Sequence, residues 1–197
     1  MSDWFDRPVL AGSHVRLEPL SPDHVEGLFA ASADPGIWSW LRNPQPSTVD
    51  DMRAITVKML DGRAAGKVVP WVQLDAVSGE VAGTTGYRDV EPVDRGLQIG
   101  GTWIGAKWQR TGVNTEAKLL LLDRAFGDLA AERVAWHTDI RNERSQRAIE
   151  RLGAVREGVL RRHRLRPDGS FRDTVVYSLT AGEWPEARER LAAKLAR

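Results

Sequence analysis

The chain of 197 residues has no cysteine, which excludes disulfides, thiolate metal ligands and any mechanism that parks an acyl group on an enzyme thiol. It also has little net charge. With 28 Lys+Arg against 27 Asp+Glu the balance is +1, so nothing overall calls for nucleic acid or an anionic membrane as partner, and electrostatic recognition must be local. No apolar run approaches the ~20 residues of a membrane helix, and the opening Met-Ser-Asp-Trp-Phe-Asp-Arg has no apolar signal core, so the chain reads as soluble and cytoplasmic. The four histidines are scattered without His-Glu-x-x-His or other metal spacing, and there is no Gly-x-Ser-x-Gly elbow, Walker loop, repeat or low-complexity tract. Against these absences stand a 42% hydrophobic content, enough for one well-buried core in a single domain over residues 1–197, and eight tryptophans.

Periodicity orders the chain. His14 to Glu18 alternates as a strand, and Ser21-Pro22-Asp23 opens a helix with Val25, Leu28 and Phe29 that ends near Asp34-Pro35-Gly36. Residues Ile37 to Pro46 lack a period and read as a loop before a second helix, Thr48 to Ala65, with Met52, Ile55, Met59 and Leu60 inward. Three period-two stretches follow, Val68 to Leu74, Glu80 to Val90 and Leu97 to Gly105, as a meander. The segment Asn114 to Phe126 is too apolar for a surface helix and belongs against a sheet, with Gly127 as its stop. Glu132 to Asp139 reads as a buried strand, and Asn142 heads a helix through Leu152 that closes at Gly153. A hairpin of Val155 to Leu165 and Phe171 to Leu179, turned at Pro167-Asp168-Gly169, precedes a polar helix over residues 183–196. The order implies a mixed α/β sheet, mostly antiparallel and seven-stranded, with helices on both faces.

The most informative stretch is Gln109-Arg110-Thr111-Gly112-Val113-Asn114-Thr115, between a strand and an apolar helix, where the sheet changes from antiparallel to parallel pairing. The first N–H groups of a helix lack partners and its dipole adds positive charge, so such a turn suits a phosphate. Gly112 allows close backbone approach, Lys107 and Arg110 add charge, and Asn114 or Thr115 suits the cap. An ordinary strand-to-helix turn uses the same residue types.

In this order the chain resembles the GNAT acyltransferase superfamily, and within it the ribosomal-protein N-acetyltransferases (RimJ/RimL-like), over roughly Gly12 to Trp184. Gln109-Arg110-Thr111-Gly112-Val113-Asn114 is similar to the family's pyrophosphate loop, Gln/Arg-x-x-Gly-x-Gly/Ala, and Asn142-Glu-Arg-Ser145 to its Asn-x-x-Ser segment. Arg151-Leu152-Gly153-Ala154, Arg156-Glu157-Gly158 and the strand from Arg172-Asp173 to Tyr177-Ser178-Leu179 complete the match. Two positions depart: Asn114 replaces the loop's final Gly or Ala, and Ile149 stands where many members carry an acid tyrosine.

The resemblance implies a GNAT fold and transfer of acetyl from acetyl-CoA, a co-substrate needing no metal, to an amine acceptor, either a peptide N-terminus or a small molecule. It places the pyrophosphate on the N–H groups of residues 110–115, the pantetheine arm along Trp103 and Ile104, Asn142 on the cofactor amides, Ser145 beside the departing thiolate and Glu157 as general base. Asn142 also reads as a plain N-cap, Ser145 as a first-turn polar residue and Glu157 as a strand carboxylate paired with an Arg. Trp38, Trp40, Arg42 and Trp71 are expected to line an acceptor pocket preferring a flat or cationic group. The run Arg161-Arg162-His163-Arg164, with Arg166, reads as a solvated hairpin face, or else as attraction for an acidic acceptor or CoA phosphates. Transfer of a larger acyl group such as succinyl, a non-catalytic acyl-CoA sensor and a homodimer through the hairpin or meander are the alternatives this reading leaves open.

Overall fold

The period-two stretches become strands in one sheet: β1 (Leu10–Ala11), β2 (Val15–Pro19), β3 (Val68–Asp75), β4 (Val81–Glu91), β5 (Gly96–Ile104), β6 (Arg133–Asp139), β7 (Val155–Leu165) and β8 (Phe171–Thr180). A computed structural model describes residues 3–166 and 168–196 of the chain. The sheet order is β1-β2-β3-β4-β5-β6-β8-β7, eight strands rather than the seven expected. The additional strand, β1, has two residues, paired with Leu17 and Arg16, too short to show any alternation. All neighbours are antiparallel except β5 and β6, which run parallel.

Among the described residues five α-helices flank the sheet: α1 (Val25–Ala31), α2 (Val49–Ala64), α3 (Gly112–Asp123), α4 (Glu143–Glu150) and α5 (Trp184–Leu195). Helix α2 starts on a capping box, Thr48 Oγ1 accepting from Asp51 N at 3.1 Å and the Asp51 carboxylate from Thr48 N at 2.9 Å. A 3₁₀ turn, Pro22–His24, leads into α1, and the expected loop holds another, Pro35–Trp40, capped by Asp34. Helix α3 does not stop at Gly127 but runs into a π turn, Arg124–Asp128. Within this turn the buried Arg124 guanidinium reaches the carbonyls of Asp3 and Asp6 at 3.0 and 3.1 Å. Of the hairpin turn expected at Pro167-Asp168-Gly169, Pro167 lies outside the described residues; around it Arg166 N donates to Ser170 O at 2.8 Å.

The two faces are chemically distinct. Tyr87 Oη donates to Leu121 O at 2.6 Å and Tyr177 Oη to Glu150 at 2.8 Å, so α3 and α4 cover the same face, the one also bearing Trp71 and Val134. Helices α1 and α2 pack over β4 and β3 on the other, where Trp38 meets Trp103 at 5.7 Å between ring centroids. Beneath α3 the buried Lys118 ammonium donates to Thr85 and Thr102 hydroxyls at 2.8 and 2.7 Å, and its burial lowers the pKa to about 7. Among the described residues no helix is long and apolar enough to cross a membrane.

Candidate functional site

Strands β5 and β6 pair only at Gly96–Gln98 against Arg133–Ala135. Beyond that point β5 follows β4 to Ile104 while β6 follows β8 to Asp139, leaving a wedge between two parallel strands. A bulge at Gly101 sits where they part; its φ of +64° is one an L side chain rarely adopts, and Thr84 Oγ1 fixes its carbonyl at 3.0 Å. The far edge of β5 thus presents backbone groups that no β6 residue pairs, facing a cleft.

Two helix N-termini stand at the mouth of this wedge. Thr111, not Asn114 or Thr115, caps α3: its Oγ1 accepts from Val113 N at 3.3 Å and donates to Trp108 O at 2.7 Å. The cap shifts because the helix begins at Gly112, two residues earlier than its apolar pattern shows. The left-handed residue of the loop is Arg110, φ +65°, not Gly112. A Cβ on Gly112 would lie 2.6 to 2.8 Å from the His14 ring, so here the glycine admits a side chain of the chain itself. Lys107 is engaged by Glu80; Arg110 in the loop and Arg144 on α4 add positive charge at the mouth. Gln109 bridges the mouth, donating to Ile104 O at 3.1 Å and accepting from Arg144 at 3.0 Å. At α4, Asn142 is the N-cap, its Oδ1 accepting from Ser145 N at 3.1 Å.

This arrangement suits a ligand with a diphosphate and a chain of amides. The helix N-termini offer N–H groups to the former, and buried polar atoms without partners, Asn114 Oδ1 in the first turn of α3 and Trp136 Nε1 on β6, flank the wedge where the latter would run. Ile149, at the position of the family's tyrosine, is buried among apolar residues and supplies no proton.

The opposite opening of the wedge lies on the face with Trp103. Of the aromatic residues expected there, Trp71 is a correction: it has no exposed surface, meets Tyr87 edge-on at 5.2 Å and donates Nε1 to Pro8 O at 2.9 Å. Central strand β3 buries both of its faces, so Trp71 belongs to the core. Trp38 is also buried, its Nε1 on Ser32 O at 3.0 Å. Only Trp40 and Arg42 reach a recess, which they share with Asp139, Arg164, Arg166 and Arg172. Four arginines and one aspartate disfavour a cationic group in this recess, since like charges would meet there.

Glu157 is spoken for. Both of its oxygens accept from Arg133 at 2.5 Å, Ser178 Oγ donates at 2.7 Å, and chiefly the Arg133 hydrogen bonds draw the pKa down to about 2. A carboxylate held so firmly ionised is a weak proton acceptor, which tells against the expected base role. The residue that sequence reasoning missed is His137. It is the first residue on this face of β6 after Ala135, the last to pair with β5, so it stands at the throat of the wedge. Its Nδ1 is buried with no hydrogen-bond partner, and its pKa is lowered, first by burial and then by Arg164 and His163. A lone histidine carries no sequence signal; only the strand pairing reveals its place.

The family model "Acetyltransferase (GNAT) domain" matches residues 14–155. The "Putative ribosomal N-acetyltransferase YdaF" of Bacillus subtilis (strain 168) is 34% identical over 106 residues, 54% of this chain and 57% of that protein, so the match spans little more than half the relative's length. A GCN5-related N-acetyltransferase from Brucella melitensis superposes with a TM-score of 0.91 at 30% identity, covering 96% of this chain and 86% of that one. Mycobacterium smegmatis RimJ in complex with CoA-disulfide shares the fold, with a TM-score of 0.80 at 24% identity over 97% and 95% of the two chains.

Proposed function

The chain belongs to the GNAT acetyltransferase family, and from that premise we propose that this N-acetyltransferase moves acetyl from acetyl-CoA to a primary amine by direct attack within a ternary complex. The observation that supports this most is the wedge itself: three residue pairs of parallel sheet, then divergence, with the N-termini of α3 and α4 at the mouth. The name carried by YdaF favours a protein N-terminus as acceptor over a small molecule.

In this reading the N–H groups at residues 110–115 hold the diphosphate and the free edge of β5 near Trp103 and Ile104 takes the pantetheine amides. Asn142 orients those amides through the part of its side chain not used in capping. Acetyl-CoA supplies the activated acyl group. Holding both reactants in one cleft removes much of the entropic barrier, with effective molarities on the order of 10⁵ M or more for well-aligned groups. The incoming ammonium must shed a proton, and His137, neutral and unpartnered at the throat, takes it directly or through water. Ser145, in the first turn of α4, donates to the departing thiolate, the role that Ile149 cannot fill.

Calorimetry of acetyl-CoA binding, combined with a thiol-release assay over peptides and small amines, tests the proposal. Saturable binding with amine-dependent CoA release is the expected outcome; absence of binding would overturn it.

A further inference from the structure

The recess around Trp40 is built from positive charge that the protein itself does not neutralise. Arg164 on β7 and Arg172 on β8 are direct cross-strand partners, a pairing of like charges that destabilises a sheet. Arg42 joins them from the turn between α1 and α2. Among the described residues none of the three has a carboxylate within 4.0 Å. Asp139, the one acid lining the recess, is taken by Arg166 at 2.7 and 3.0 Å. The remaining nearby acid, Asp89 on β4, is exposed and accepts from Gln98 at 3.3 Å.

The four-arginine run is therefore not one solvated face. Three residues, Arg161, Arg162 and His163, oppose the single Asp173, whose Oδ1 holds Arg162 N at 2.7 Å. This irregularity sends Arg162 outward over Phe171, at 4.7 Å from its ring, while Arg164 comes to line the recess with Arg172 and Arg42. A cluster that costs stability when empty gains it when an anion enters.

The recess also lies on the acceptor side. Asp139 in its wall is two residues beyond His137 on the same face of β6, roughly 7 Å along the strand. We propose that Arg42, Arg164 and Arg172 bind an anionic group of the acceptor, so that the preferred substrate is an amine that also carries a carboxylate. This rests on the acetyl-transfer reading above and specifies its substrate. A peptide with an acidic side chain next to its amino terminus is such an amine, and so is a small ω-amino acid.

Matched acceptors test it: Ser-Glu and Ser-Gln peptides blocked as C-terminal amides, and 4-aminobutyrate against 4-aminobutyramide. The wild-type enzyme is expected to favour an acid over its neutral partner at least tenfold in kcat/KM, the peptide and small-molecule arms showing which source supplies the carboxylate. In Arg42→Gln and in Arg164→Gln this ratio falls toward one, calorimetric affinity for the acidic acceptor drops about tenfold, and affinity for acetyl-CoA stays unchanged. Turnover with no preference for acids would overturn the inference and leave the transferase reading intact. Equal loss of affinity for CoA in the variants, absent with dephospho-CoA, would overturn it too and assign the arginines to the 3′-phosphate. No turnover of any amine, with no acetyl-CoA binding, would count against the underlying reading.

Discussion

Replacement of His137 by glutamine is expected to lower kcat by about 10²- to 10⁴-fold while acetyl-CoA affinity changes little. The glutamine keeps size and hydrogen-bonding capacity but cannot accept a proton. The pH profile gives the sharper readout. Burial lowers the His137 pKa, Arg164, His163 and Arg172 lower it further, and Asp89 opposes them without reversing the shift, so the imidazole stays neutral to below its ordinary value of 6.5. A neutral imidazole is the competent base; activity should therefore persist at pH 7 and fall on acidification with an apparent pKa below 6.5. In His137→Gln that acidic limb disappears. A variant retaining both kcat and the limb would remove His137 from the chemistry, and if Glu157→Gln alone abolished the limb the base would be Glu157 after all.

Removal of the Glu116 carboxylate is expected to destabilise the fold by about 3–5 kcal/mol. Glu116 is 7% exposed, on the second turn of α3, and accepts from the backbone N–H groups of Ser13, His14 and Val15 at 2.9, 2.6 and 2.8 Å. Three charge-assisted hydrogen bonds thus tie the start of β2 to the helix that follows the loop at Gln109 to Thr115. In Glu116→Ala those donors lose their acceptor, and for a chain of this size the loss corresponds to a Tm lower by about 10 °C or more. Because the His14 ring packs on Gly112, the same variant should also weaken acetyl-CoA binding, whereas Glu116→Gln, keeping one acceptor oxygen, should lose about half as much stability. Thermal and urea denaturation measure the first effect and calorimetry the second; a Tm within about 2 °C of wild type would contradict the account.

What was legible in the residues was what depends on neighbours in sequence. Seven strands and five helices announce themselves by period and caps, and the loop at Gln109 to Thr115 by its glycine between a strand and an apolar run. What depends on distant partners was not legible. The contacts of Arg124 with Asp3 and Asp6 and the Glu116 clamp each span more than a hundred residues. Trp38, Trp40 and Trp71 look alike in sequence, yet only Trp40 reaches the recess, because β3 is central and Trp38 packs under the turn. Glu157 matched a family position, but its partners Arg133 and Ser178 come from two other strands and decide its protonation. His137 gains meaning only from where β5 leaves β6.

The proposed chemistry requires acetyl-CoA in the wedge between β5 and β6 with its diphosphate on the N-terminus of α3. Backbone amide chemical shifts recorded during titration with CoA test it most directly. The largest changes are expected at residues 110–115, 142–145 and 99–104, with the loop amides losing most of their response when the titrant is pantetheine lacking the diphosphate. Changes centred elsewhere, or an equal response at the loop to pantetheine, would contradict it.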